Sequence, residues 1–415
     1  MKILIANTFY NPEIIGGAEI SVQKLAEYLV TEGCDVTVLC TSHKDSREMI
    51  HGVKVVRFKP MNFIRGVEYE KLGKINKCIF IGAKIYQYIA NSYNPFNYKK
   101  LKNIIEEVNP DVLHTNGLYE ITPVIWKAAY NDNIPIIHTA RDYFLVCRHA
   151  TMLKHGKKCE VENKFCEFRR RLNARWIQKY VNYLTFPSWT MFSLFEKTRC
   201  LKGVNNTEVI CNGIDYDINA VRETCQRKIY NLDENRCIKF IYQGNLGEHK
   251  GVRWLIESFL SRKDNLSMLY IAGKGPLEDY VRNAAKNCKN IVYKGFLKED
   301  ALLNLLQECD VLVCPSLWDE PFGRVVLDAY KNGLPAIVSN LGALPELVDH
   351  MKTGYVVNTN NIGELSQVIT MLAENKDIIK KWIHNIPPLM TEFSIEKQGH
   401  RFRNIYKKSI MKVIK

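Results

Sequence analysis

The chain has 415 residues, 46% hydrophobic and 25% charged, with 58 basic against 44 acidic side chains and a formal net charge of +14. A composition this apolar excludes a disordered chain, and the length exceeds the roughly 250–300 residues over which one hydrophobic core grows, so two domains are expected. The basic surplus points to an anionic partner: a phosphorylated substrate, a membrane surface or nucleic acid.

Residues 3–6 read as a first buried strand, 7–17 as a loop and 18–32 as an amphipathic helix. Val22, Leu25, Leu29 and Val30 share one side of that helix, and Gly33 is the glycine that stops it. The opening apolar run is too short for an export signal and ends at Asn7, so the 13 cysteines are expected as reduced thiols in a cytosol. Further strands are expected at 35–40, 53–58, 111–114, 134–138, 184–187 and 208–211. Residues 216–237 are polar and mixed and read as a linker with some helix. A second series of strands begins at 238–242 and continues at 268–272, 291–293, 311–314 and 336–339. The chain then ends in a basic helix from 394, with a break before it at Pro387-Pro388. Strands alternating with helices of about 10–15 residues predict parallel, doubly wound sheets, here in two Rossmann-like halves. No apolar run reaches about 18 residues, so no transmembrane helix is expected.

Three stretches carry chemistry. Gly16-Gly17-Ala18-Glu19 opens the first helix, where glycines admit close backbone approach and the helix end favours an anion; the alternative is a plain β–α turn. No Gly-x-Gly-x-x-Gly stands there, so the dinucleotide fingerprint is absent. Residues 243–251 follow the first strand of the second half, and Lys250 is placed to neutralise a phosphate; the alternative is a solvated lysine. Residues 271–276 repeat the theme, with Lys274 read as solvated and Gly273 and Gly275 as turn residues. In the third stretch, Trp318 to Asp328, Glu320 lies beyond the carboxyl end of a strand, and Phe322-Gly323 precede a short helix holding Asp328. In open α/β sheets ligands bind at that edge. Free N–H groups at a helix start suit a phosphate and a glutamate suits hydroxyls, so a nucleotide sugar is the ligand expected.

In this order these motifs resemble the retaining glycosyltransferases of family 4. The resemblance covers essentially the whole chain. It rests on Gly16-Gly17-Ala18-Glu19, residues 212–215, 244–246, Lys250-Gly251, 273–276, Pro315-Ser316, and Glu320-Pro-Phe-Gly323 running to Asp328. It implies the GT-B fold, an α/β architecture of two Rossmann-like domains facing across a cleft. The expected domains are residues 1–215 on the acceptor side, a linker at 216–237, a nucleotide-sugar domain at 238–392, and a C-terminal helix at 393–415 returning to the first domain. It also implies a retaining hexosyltransferase acting in surface polysaccharide or glycolipid synthesis, with a nucleotide diphosphate sugar as donor and no metal. Glu320 matches the acid that contacts the donor sugar, and Phe322 and Gly323 the backbone that holds it. Lys250 matches the diphosphate lysine and Gly17 the loop glycine that nears the phosphates.

Three positions depart from the family. Asp328 replaces the glutamate that grips ribose hydroxyls. Asn245 stands where a diphosphate arginine is common, and Arg141, before Asp142, where a histidine is common. One cation is missing at 245 and one is present at 141, so Arg141 is read as a compensating ligand; the alternative is that it pairs with a carboxylate. Glu320, Arg141 and Lys250 are the expected catalytic groups. Gly17, Asn245, Lys250, Phe322, Gly323 and Asp328 are the expected donor contacts. The two acids do not read as a hydrolase pair, which requires carboxylates on either side of one bond.

Cys147, Cys159 and Cys166, with His149 and His155 between, lack a Cys-x2-Cys knuckle and read as thiols rather than a zinc site. Residues 61–102 mix apolar and basic side chains, and with Arg169, Arg170 and Arg171 they suggest a peripheral contact with an anionic inner membrane face, where a lipid-linked acceptor would be met. The alternative is an ordinary amphipathic helix. No nucleic-acid module is recognisable. Two rivals remain: a sugar-nucleotide epimerase, against which Glu320-Pro-Phe-Gly323 argues, and a non-catalytic sugar-nucleotide-binding subunit.

Overall fold

A computed structural model describes residues 1–61, 86, 90, 92–147, 149–154, 157–159, 164–204, 206–233, 236–262 and 266–414. The chain divides into two compact units. The first comprises Met1–Met152, Cys159–Gly213 and Ile395–Lys415, and the second Leu153–Lys158 and Ile214–Ser394.

In chain order the first unit contributes strands β1 (Lys2–Ala6), β2 (Asp35–Thr41), β3 (Ser46–Ile50), β4 (Val53–Phe58), β5 (Val112–Thr115) and β6 (Ile136–Thr139). Beyond β7 (Leu153–Lys154) and β8 (Lys157–Lys158), a separate antiparallel pair that falls in the second unit, the first unit resumes with β9 (Tyr183–Phe186) and β10 (Thr207–Val209). They form one sheet in the order β10-β9-β6-β5-β1-β2-β4-β3. Neighbours run parallel except β3, which pairs antiparallel with β4. After the exposed Lys2, β1 is an unbroken apolar run, Ile3–Ala6, buried on both faces. The helix Gly17–Thr31 buries Val22, Leu25, Ala26 and Leu29 in a core that also takes Phe402, Ile405 and Tyr406 of the C-terminal helix Ile395–Ile414. Gly33, at φ 76°, ends the first helix by donating its N–H to the Val30 carbonyl.

The second unit carries β11 (Ile238–Gln243), β12 (Ser267–Ala272), β13 (Ile291–Gly295), β14 (Val311–Cys314), β15 (Ala336–Ser339) and β16 (Gly354–Val357). Their order is β13-β12-β11-β14-β15-β16, and every pairing is parallel. The order reverses between β11 and β14, and the carboxyl ends of those two strands are the edge at which a doubly wound sheet takes its ligand. Both sheets follow the two-sided winding expected of Rossmann-like halves.

Four local features differ from expectation. The first sheet is mixed, because β3 is a polar edge strand folded back through His51 and Gly52, both at positive φ (48° and 79°), as a two-residue hairpin requires. Residues 216–237 are not a linker. They hold the helix Ile218–Asn231, part of the second unit, whose buried Lys228 donates to the carbonyls of Leu306 (3.1 Å), Gln307 (2.6 Å) and Cys309. Pro387 lies in the first turn of a short helix, Ile386–Met390, a position where its missing N–H costs nothing. β16 was not expected at all; it lies so close to β15 that a Cβ on Gly354 would stand 2.0 Å from the Ala336 carbonyl oxygen.

Candidate active site

In the second unit, β14 ends in Cys314 and the chain turns through Pro315-Ser316 toward Glu320. Glu320 is held from two sides. Ser316 donates its hydroxyl to Oε1 at 2.7 Å, and Lys250 donates its ammonium to the same oxygen at 2.6 Å. Ser316 is fixed in turn, since Ser339, at the end of β15, donates to the Ser316 carbonyl at 2.6 Å. The Glu320 side chain is 11% exposed and that of Lys250 23%, so the pair is half withdrawn from water and each partner leaves the other uncompensated if lost.

Lys250 stands just before the next α-helix. It ends a 3-10 turn, Glu248–Lys250, and Gly251 at φ 71° then starts the helix Val252–Leu260. A Cβ on Gly251 would stand 1.9 Å from the Pro315 carbonyl oxygen, so the loop after β11 is pressed against the loop after β14 and only glycine fits. Gly342 does the same from the loop after β15, where a Cβ would meet the Glu320 amide nitrogen at 2.1 Å. Trp318 lies beside the pair, with the Lys250 ammonium 5.0 Å from its ring centre and the His249 ring edge-on at 5.6 Å. Burial, then the Lys250 charge, holds the His249 imidazole below its usual range, opposed by Glu320.

Gly323 caps the helix Arg324–Lys331 at φ 107°, and Phe322 beside it is buried. Asp328 lies one turn into that helix, 3.5 Å from the Arg324 guanidinium. Burial raises its carboxyl, and the Arg324 and Lys331 charges oppose the rise. Asn245 sits on the loop after β11, where its carbonyl accepts from the Tyr242 hydroxyl at 2.7 Å. Gly273 and Gly275 are more than turn residues. Cβ atoms there would stand 1.9 Å from the Gly244 carbonyl and 2.7 Å from the Leu246 amide, so they pack the loop after β12 onto the loop of Asn245. Glu320, Lys250, Phe322, Gly323, Asn245 and Asp328 therefore all lie on the carboxyl-end loops of β11 and β14 or in the helix that follows β14. Arg324, Trp318 and His249 were not among the site residues expected from the sequence. The signal for Arg324 was its i, i+4 spacing from Asp328.

Gly17 is the first residue of the helix in the first unit, and Glu19 folds back to accept from the Gly16 amide at 2.8 Å. Arg141 follows β6, is 6% exposed, and donates to Asn116 Oδ1 at 2.7 Å and to Asn212 Oδ1. Asp142 beside it accepts from the Phe144 amide at 2.8 Å, and burial pushes its carboxyl up to about 6. Below this edge the sheet is pinned by side chains. His114 bonds the Tyr406 hydroxyl and Thr139, each at 2.7 Å, and His138 bonds Thr115 at 2.9 Å.

Two of the arginines offered as membrane contacts are internal instead. Arg169 and Arg170 are 6% and 5% exposed, and Arg170 donates to the Val146 carbonyl at 2.8 Å, whereas Arg171 is on the surface, paired with Glu167. Most of the basic stretch at 61–102 lies outside the described residues. So does His155 of the cysteine cluster. Among the described residues no group of three or more His, Cys, Asp or Glu side chains is placed to hold a metal, and no helix is long and apolar enough to cross a membrane.

Two family models match the chain in tandem: "Glycosyltransferase Family 4" over residues 15–218 and "Glycosyl transferases group 1" over residues 224–387. The fold is similar to that of sucrose-phosphate synthase from Thermosynechococcus elongatus, with a TM-score of 0.71 at 17% identity over 98% of both chains. HepE of Anabaena, solved in complex with UDP, gives a TM-score of 0.69 at 17% identity over 98% of this chain and 100% of that one. A 42.6 kDa protein in the cps region of Klebsiella pneumoniae is 27% identical, across 84% of this chain and 87% of that protein. A glycosyltransferase of Methanocaldococcus jannaschii is also 27% identical, across 87% and 86%. With its two Rossmann-like units, the chain belongs to the GT-B glycosyltransferases of group 1, family 4-like.

Proposed function

We propose that the protein transfers a hexose, with retention at the anomeric carbon, from a uridine diphosphate sugar to a glycan or lipid-linked acceptor in the synthesis of a surface polysaccharide. One observation carries the reading: Glu320 is fixed by Ser316 and Lys250 at the switch point of the second sheet, three residues before a glycine-capped helix start. A carboxylate there takes sugar hydroxyls, while Lys250 and the free N–H groups of the helix take the diphosphate. In the ligand-free state Lys250 and Glu320 neutralise each other, and donor binding replaces that contact with one to phosphate and one to sugar. HepE with UDP and with UDP-glucose supports the choice of donor. The cps-region relative and an O-antigen biosynthesis glycosyltransferase of Escherichia coli, 27% identical over 50% of this chain, support the choice of pathway.

In this reaction the acceptor oxygen bonds to the anomeric carbon as its bond to the phosphate oxygen breaks. The acceptor proton passes to the departing phosphate on the same face, so no protein base and no metal is called for. The helix start and Lys250 stabilise the charge that develops on the leaving diphosphate. Gly17 and Arg141 of the first unit are proposed donor contacts, as the family resemblance implies. The test is transfer or slow donor hydrolysis by the purified protein with a panel of nucleotide sugars, with and without a chelator, reading the product's anomeric configuration by NMR. Release of the α-configured sugar product from an α-linked donor supports the reading. Donor binding without any turnover would favour the non-catalytic subunit, and an inverted product would exclude retention.

A further inference from the structure

Arg324 is left unexplained by the family resemblance. It opens the helix that follows Gly323, and its side chain is 13% exposed. Its nearest anionic contact is Asp328 Oδ1, 3.5 Å from one terminal nitrogen, which is an ion-pair distance but a long one for a hydrogen bond. Its Nε and its other terminal nitrogen are buried and have no hydrogen-bond partner among the described residues. A guanidinium carries five donors, accepts nothing and stays charged, so each buried N–H without an acceptor has given up water for nothing in return. Folded chains keep such groups where something else completes them.

The surroundings say what that is. The two unpartnered donors, Nε–H and one terminal N–H, lie on different edges of one planar, charged group, so each meets its own anionic oxygen, and a diphosphate supplies several. Arg324 is in the first turn of a helix, where the dipole favours the same charge. Asn245, where the family commonly has its second diphosphate cation, follows β11, and Arg324 follows β14, which pairs directly with β11. The charge absent from one loop is thus present beyond the neighbouring strand of the same unit.

We propose that Arg324 is a donor-binding residue that takes anionic oxygens of the nucleoside diphosphate with its Nε and free terminal nitrogen, while Asp328 keeps the ribose hydroxyls. The proposal rests on the nucleotide-sugar reading above and adds to it a residue and a ligand group.

The experiment is calorimetric titration of the full chain with UDP and with uridine, using GDP and ADP to check the base. The parent is compared with Arg324→Gln and Arg324→Lys, each checked for folding by circular dichroism. Arg324→Gln should weaken UDP by about tenfold or more and leave uridine within about twofold. Arg324→Lys, which keeps the charge but not the two separated donors, should fall between parent and Arg324→Gln, and it alone carries the test if the glutamine variant does not fold. Unchanged UDP affinity in the variants would overturn the proposal. So would a parallel loss of UDP and uridine, which would mean that Arg324 serves only to hold Asp328. A parent that binds none of the three diphosphates would overturn the nucleotide reading itself, an outcome distinct from variants that match a binding parent.

Discussion

The two units share one winding of their sheets but build their carboxyl edges from different materials. In the first, side-chain bonds among His114, Thr139, Thr185, Tyr406, His138 and Thr115 pin the strands beneath the edge, and all are neutral or titratable groups buried from water. In the second, backbone packs on backbone. Gly251, Gly273, Gly275 and Gly342 bring loops within reach of one another where a Cβ would stand 1.9–2.7 Å from another chain segment, and the charged groups Lys250, Glu320, Arg324 and Asp328 lie among them. A fold that must hold charges near a ligand gains from rigid backbone walls, since these leave the side chains free to change partners. A fold whose edge is pinned by side chains has spent those groups on stability.

The sharpest way to break this contrast is Glu320→Gln. It keeps the shape and removes the charge that Lys250 and Ser316 share, and transfer should fall by about 100-fold or more, roughly 2.7 kcal/mol of barrier, with the circular dichroism spectrum unchanged. Full activity in the variant would remove Glu320 from the site.

Next in size is a pair of glycine substitutions. Gly251→Ala places a methyl 1.9 Å from the Pro315 carbonyl at a positive φ of 71°, so neither backbone nor rotamer offers relief, and about 3 kcal/mol of stability should be lost. In the first unit Gly117→Ala places its methyl 2.9 Å from the Asn7 side-chain oxygen, which can move, and about 1 kcal/mol should suffice. Denaturant midpoints measure both. Equal losses would erase the distinction between a backbone wall and a side-chain one.

The smallest effect sharpens the other half of the comparison. Burial drives His114 well below its usual range and His138 down to about 3, with the Arg141 charge adding to both. Both folded values lie below the unfolded value near 6.5, so the unfolded chain binds more protons in between. Their stabilisation is fully present above about pH 6.5 and is lost as pH falls below it, for His138 down to about pH 3, at about 1.4 kcal/mol per pH unit. Urea midpoints from pH 7.5 to 4 should fall, and less steeply in His138→Gln. Identical slopes in parent and variant would contradict the buried, neutral assignment.

Much of this was legible before the structure. The continuous apolar runs of Ile3–Ala6 and β14 announce strands buried on both faces, and Gly33 announces a helix end. Motif order placed Glu320, Phe322, Gly323 and Lys250 on one edge of a sheet. What stayed hidden has physical reasons. β3 reads Ser-Arg-Glu-Met-Ile because an edge strand shows a face to water, so its pattern resembles a loop. Lys228 and Arg170 look like surface charges, but carbonyl oxygens that only the fold brings together hold them inside. Arg324 carries no signal beyond its spacing, since an unfilled donor is a property of three dimensions.

The central claim is that the second unit takes a nucleoside diphosphate at the edge where Lys250 meets Glu320. Its most direct test is UDP affinity in the parent and in Lys250→Ala, measured by calorimetry at fixed salt. The account predicts saturable one-to-one binding by the parent and a loss of about tenfold or more, roughly 1.4 kcal/mol, in the variant. A folded Lys250→Ala protein that binds UDP as tightly as the parent would contradict it.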